Sequence, residues 1–146
     1  MRARVIEAFG DAAAAAAAAR LGRPVLRGAP VRGAPSRAVA GVAALAGLSG
    51  DLQGRLLMDL DATAASALGG SSRQGQLGMA ELAEEVIARA LAILRSAGTR
   101  IEATPPLVLT GQNLEVTTSH METMAVPIGI PEGTLVVSIA ALEGGD

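Results

Sequence analysis

Cysteine, lysine, tryptophan and tyrosine are all missing from these 146 residues, and phenylalanine, histidine and asparagine occur once each, as Phe9, His120 and Asn113. Without a thiol there is no disulfide, thiolate nucleophile or thiolate metal site, which fits a reducing compartment. Without lysine there is no Schiff base and no phosphate-loop lysine. A lone aromatic gives no platform on which bases or sugars could stack, and it leaves the core to Ala, Val, Leu, Ile and Met. Chemistry, if there is any, falls to oxygen and amide groups or to the single imidazole.

Basic charge is also modest. Twelve arginines stand against 14 acids, for a net charge of −2, so the chain lacks the polycationic footprint that a nucleic-acid backbone demands. With 31 Ala and 18 Gly beside an all-arginine basic set, a nucleotide-composition bias is the plainest reading, and the preference for Arg carries no functional weight. The run Ala12–Ala19 follows Glu7 and Asp11 and is closed by Arg20. It is too short and too weakly apolar for a membrane span or a signal-peptide core. The expectation is a cytoplasmic chain with no membrane association, and the length suits one domain over 1–146 with about 70% of the unfolded surface buried.

Strong helix formers fill Arg2–Leu21, and Gly22 with Pro24 stops them. Between Pro24 and Asp61, short apolar runs alternate with Gly and Pro punctuation, which predicts three antiparallel strands. Asp61 is placed to cap a short helix over Ala62–Leu68 that ends at Gly69–Gly70. A polar link, Ser71–Gly78, leads to the second long helix, Leu77–Ala97. There Met79, Leu82, Val86, Ala90, Ile93 and Ala97 make an apolar stripe, with Glu81, Glu84, Glu85, Arg89 and Arg95 opposite. Strands are predicted at 101–104, 107–110, 114–118, 124–130 and 135–142, with turns at 111–113 and 131–133. Helices and strand blocks in this order give an α+β, two-layer architecture: a mostly antiparallel six- or seven-stranded sheet with both long helices on one face. The run Leu135–Leu142, free of charge and proline, reads as an unprotected edge strand.

Glu81-Leu82-Ala83-Glu84, the helix running on to Gly98, and Ile101-Glu102-Ala103-Thr104-Pro105-Pro106 resemble in order and spacing the working segment of the CheX and CheC-type chemotaxis phosphatases. In that family the helix carries Glu-x-x-Asn and a proline follows on the next strand, the position of Pro106 here. Leu45–Gly50 and Gly54–Met58 resemble the family's hairpin, and the similarity covers Val5 to Leu142. It implies a domain that binds the receiver of a CheY-type response regulator. In such domains the Glu anchors the regulator and the Asn amide orients the water that attacks the phosphoaspartate. It also implies a homodimer joined through its sheets, with no cofactor or metal. Glu81 and Glu84 take the motif positions, and Glu81, Glu84, Glu85 and Pro106 are the expected partner-binding residues.

The departure is at Glu84, where a carboxylate replaces the amide. Phosphoryl transfer asks for positioning and for stabilisation of charge on the phosphoryl oxygens. An amide can donate and accept at once, whereas an ionised carboxylate only accepts. The first helix, with Glu7-Ala8-Phe9-Gly10, offers no amide either. His120 has no partner at ligand spacing, and Ser119 beside it on a strand would point to the opposite face. Two readings stay open at this point: an active phosphatase of the phosphorylated receiver, and a non-catalytic binding or assembly domain on the same fold.

Overall fold

The structure, a computed structural model, describes residues 2–32, 36–39, 41–61, 63–64, 72–110, 114–117, 121–131 and 133–142. Asn113, His120, Gly69–Gly70 and most of the expected short helix lie outside them. Helix α1 is Arg2–Leu21 and α2 is Ser72–Ser96. The strands are β1 Leu26–Arg27, β2 Val31–Arg32, β3 Ser36–Val39, β4 Val42–Gly50, β5 Gly54–Leu60, β6 Ile101–Ala103, β7 Leu107–Thr110, β8 Leu114–Thr117, β9 Met121–Ile130 and β10 Gly133–Leu142.

The main sheet runs β1-β9-β10-β5-β4-β6, with β2 also bonded to β9 and β7 to β4, while β3 and β8 pair separately. Every one of these pairings is antiparallel. Both helices sit on one face. The inward residues of β4, β5, β9 and β10, such as Ala44, Met58, Val126 and Val137, share one core with Val5, Ile6 and Phe9 of α1 and with Met79, Leu82 and Val86 of α2. The strand residues alternate with a period of two because successive side chains leave opposite faces. Ala43 and Leu57, between them, form a smaller cluster on the other face. The predicted two-layer α+β architecture is the one observed.

Four local expectations are corrected. Leu135–Leu142 is no edge: β10 lies in the middle of the sheet, bonded to β9 along its length and to β5 over Leu135–Ala141. Its lack of charge follows from burial on both faces, with Leu135, Val137 and Ile139 toward the helices and Ser138 and Ala140 buried on the other side. Residues 24–61 hold five strands rather than three, because 26–27, 31–32 and 36–39 form separate short pairings. Helix α2 begins at Ser72, through the segment read as a link; Arg, Gln and Leu are good helix formers, and two glycines cost only about 1 kcal/mol each. Finally, Ile93 is 44% exposed and Ala97 lies past the helix end, while Leu94 is fully buried in their place. The stripe drifts around the helix because steps of three and four do not sum to a whole number of 3.6-residue turns.

The ends of these elements are tied down. Asp61 Oδ1 accepts from Ala64 N–H at 2.8 Å, the bond expected of an N-cap, and Asp61 Oδ2 accepts from Thr134 N–H at 3.2 Å, joining that turn to the start of β10. Gly98, at φ 84°, ends α2 in the left-handed conformation, and Thr99 N–H closes a 6→1 bond to Leu94 C=O at 2.9 Å. Arg4 of α1 then donates to Ala97 C=O at 3.2 Å, locking the two helices together at that end.

Candidate functional site

Leu82 and Ala83, both buried, hold α2 against the sheet, and so the flanking Glu81 and Glu84 stand exposed one turn apart on its outer side. Neither carboxylate has a hydrogen bond or ion pair among the described residues. Glu85 behaves differently. Its carboxylate meets Arg89 Nε at 3.0 Å within the helix and Arg20 at 3.6 Å on α1, so it braces the helix pair instead of facing outward with the other two.

A groove runs along this side of α2. Glu84, Ile87 and Ala88 form one wall, and Ala103, Thr104, Pro105 and Pro106 form the other, around a hollow of about 330 Å³. Glu84 and Pro106, with 21 residues between them in the chain, are thus brought to one place. The second wall is rigid for two reasons. Thr104 N–H donates to Gly47 C=O at 3.0 Å, and Gly47 N–H donates to Thr104 Oγ1 at 2.8 Å, which rivets the segment to β4. Pro105 and Pro106 have fixed φ and no N–H, so they break the pairing with β4 between the end of β6 and the start of β7 and leave an apolar surface. Ile87, Ala88, Thr104 and Pro105 were not singled out as binding residues. Pairing of the 101–110 stretch with β4, which no local pattern reveals, puts Thr104 and Pro105 opposite Ile87 and Ala88 of α2.

The groove presents the Glu84 carboxylate and apolar surface. Thr104 Oγ1 is engaged with Gly47, and among the described residues no side-chain amide lines the wall and no group of three or more His, Asp or Glu could hold a metal. Such a surface can accept a cationic side chain and bury apolar ones, but Glu84, when ionised, cannot donate to a phosphoryl oxygen.

The acids on the corresponding face of α1, though exposed, are already paired. Arg27 of β1 lies 2.8 Å from Glu7 and 2.9 Å from Asp11, so the two acids share one guanidinium within the fold and keep a net charge of about −1 between them. A side chain at Gly10 would press on the same guanidinium, 2.9 Å from its Cβ. Among the described residues, α1 thus lacks an unpaired acid pair like Glu81 and Glu84.

No protein-family model matches the sequence, and no curated protein is similar to it in sequence. The likeness is three-dimensional. The chemotaxis protein CheX from Desulfovibrio desulfuricans superposes with a TM-score of 0.84 at 17% identity, over 94% of this chain and 98% of that one. A CheC-like superfamily protein from Shewanella sp. PV-4 gives 0.83 at 20% identity, over 97% and 99%. A chain of the CheX–CheY–BeF3–Mg2+ complex from Borrelia burgdorferi gives 0.74 at 24%, over 94% and 97%. With its antiparallel sheet, two helices on one face and the acidic groove beside the second helix, the chain has the fold of the CheX and CheC-type chemotaxis proteins.

Proposed function

We propose that this chain is a CheX-like signalling domain that binds the receiver of a CheY-type response regulator through the α2 groove, and that it is a poor catalyst of phosphoaspartate hydrolysis. The observation that carries this reading is the exposed Glu81–Glu84 pair, without a partner among the described residues, with Glu84 lining an apolar groove and a carboxylate standing where the resembling motif has an amide. The Borrelia protein of the same fold was crystallised with CheY, which supports the choice of partner. Glu81 takes the anchoring role, toward a cationic side chain of the receiver, and Pro106 with Glu84 frames the contact. Glu85 contributes by holding α2 in place. Titrating a CheY-type receiver, activated with beryllofluoride and Mg2+, should give saturable binding that Glu81→Arg weakens at least tenfold. Binding indifferent to Glu81→Arg would refute the groove as the docking face.

The same reading takes residues 1–146 as one cytoplasmic domain that works as a homodimer. With β10 interior, the dimer must use another edge of the sheet. Leu107 of β7, 59% exposed, and Leu26 of β1, 80% exposed, mark apolar positions on the two outer sides. Sedimentation at high micromolar concentration is expected to show a dimer that leaves Glu81 and Glu84 open. A clean monomer would overturn it. Among the described residues no helix is long and apolar enough to cross a membrane.

A further inference from the structure

The α2 groove does not stop at Ala88. Beyond it, Leu91, Arg95, Thr99, Arg100, Ile101 and Glu102 line a second hollow of about 260 Å³ between the same helix and the start of β6. Glu84, Ala88, Leu91 and Arg95 step by four, three and four, so they form one line along α2, and Arg95 stands about 16 Å from Glu84 at 1.5 Å per residue. One continuous face therefore carries acids at one end, small and apolar residues in the middle, and arginines at the other.

The arginines at that end are uncommitted. Arg20, Arg27 and Arg89 each meet an acid, and Arg4 is spent on Ala97 and Thr99. Arg95 and Arg100 meet none among the described residues, although Glu102 lines the same hollow. The backbone under Arg100 is nonetheless firmly stationed. Its N–H donates to Asp51 Oδ2 at 2.7 Å, and its C=O accepts from Asp51 N–H at 2.9 Å. Gly50, at φ 102°, allows this close approach, since a Cβ there would lie 2.6 Å from the Arg100 oxygen.

We infer that Arg95 and Arg100 are a second anchor for the docked protein, taking a carboxylate-bearing segment that lies about four helical turns, or about 21 Å, from the basic group met by Glu81. Two anchors of opposite sign fix the direction in which the partner lies along α2, which a single ion pair cannot do. A nucleic acid is a poor occupant, because Glu81, Glu84 and Glu102 on the same face would repel its phosphates.

The inference rests on the receiver-docking reading, and one titration separates the two. Wild type, Glu81→Arg, the double variant Arg95→Glu/Arg100→Glu and the conservative Arg95→Lys/Arg100→Lys are each titrated with the beryllofluoride-activated receiver at low and high salt, after circular dichroism has shown native helix content. The double Glu variant is expected to lose at least tenfold in affinity at low salt, with the loss shrinking as salt rises, and the Lys variant to keep most of the binding. Receiver binding that depends on Glu81 but is unchanged by Arg95→Glu/Arg100→Glu overturns the second anchor alone. Absence of binding by wild type overturns the docking reading and the anchor with it.

Discussion

Glu84→Asn is expected to accelerate decay of a phosphorylated CheY-type receiver at least tenfold over the wild-type chain. A carboxylate about 4 Å from a phosphoryl charge is repelled by roughly 4 kcal/mol at an effective dielectric near 20. That is comparable to the roughly 3–4 kcal/mol that a well-placed donor contributes to a charged transition state. Asparagine removes the repulsion and restores a group that can donate to oxygen and accept from water together. Position 84 is exposed on a helix whose neighbours Leu82, Ala83 and Val86 are buried, so the exchange costs only a few tenths of a kcal/mol in helix propensity. The check is a decay time course with each protein at saturating concentration. Equal rates for Glu84→Asn and wild type would mean that position 84 does not reach the phosphoryl group.

The second large effect is on stability. Phe9 is the only aromatic residue and is fully buried in the core shared by α1, α2 and the sheet. In a core otherwise built from Ala, Val, Leu, Ile and Met, nothing of similar volume can move in when it is cut back. Phe9→Ala should therefore cost about 3–5 kcal/mol, a large fraction of the total stability of a domain this size. Ile93→Ala, at a position 44% exposed, should cost under about 1 kcal/mol. Urea unfolding followed by circular dichroism reads both as shifts of midpoint at constant slope. If Phe9→Ala does not fold, Phe9→Leu should still fold with a midpoint below wild type. A Phe9→Ala midpoint equal to that of Ile93→Ala would contradict the assigned core.

The helices and the fold class were legible because their signals are local. Ala-rich composition and the Gly22 and Gly98 stops mark both helices, and Asp61 caps where a cap was expected. Strand order was not legible. Whether Leu135–Leu142 lies at an edge or in the middle depends on which strands flank it, and an unbroken apolar run is compatible with either. The exposed pair Glu81 and Glu84 followed from helical periodicity, but its separation from Glu85 did not, since that depends on where Arg20 of another helix falls. The groove needed tertiary information of the same kind: bonds from Thr104 to Gly47, in a distant part of the chain, fix Pro105 and Pro106 against α2. Arg27 is the clearest case, an arginine unremarkable in sequence whose place on β1 ties up the acids of α1.

The central claim is a docking face that has lost its catalytic amide, and the most direct test is the wild-type chain itself. Decay of the phosphorylated receiver is followed with and without a saturating excess of wild type, and binding is verified in parallel. The account predicts saturable binding with a decay rate within about tenfold of the receiver alone, the amide's contribution being absent. A hundredfold or greater acceleration that Glu84→Ala abolishes would contradict it.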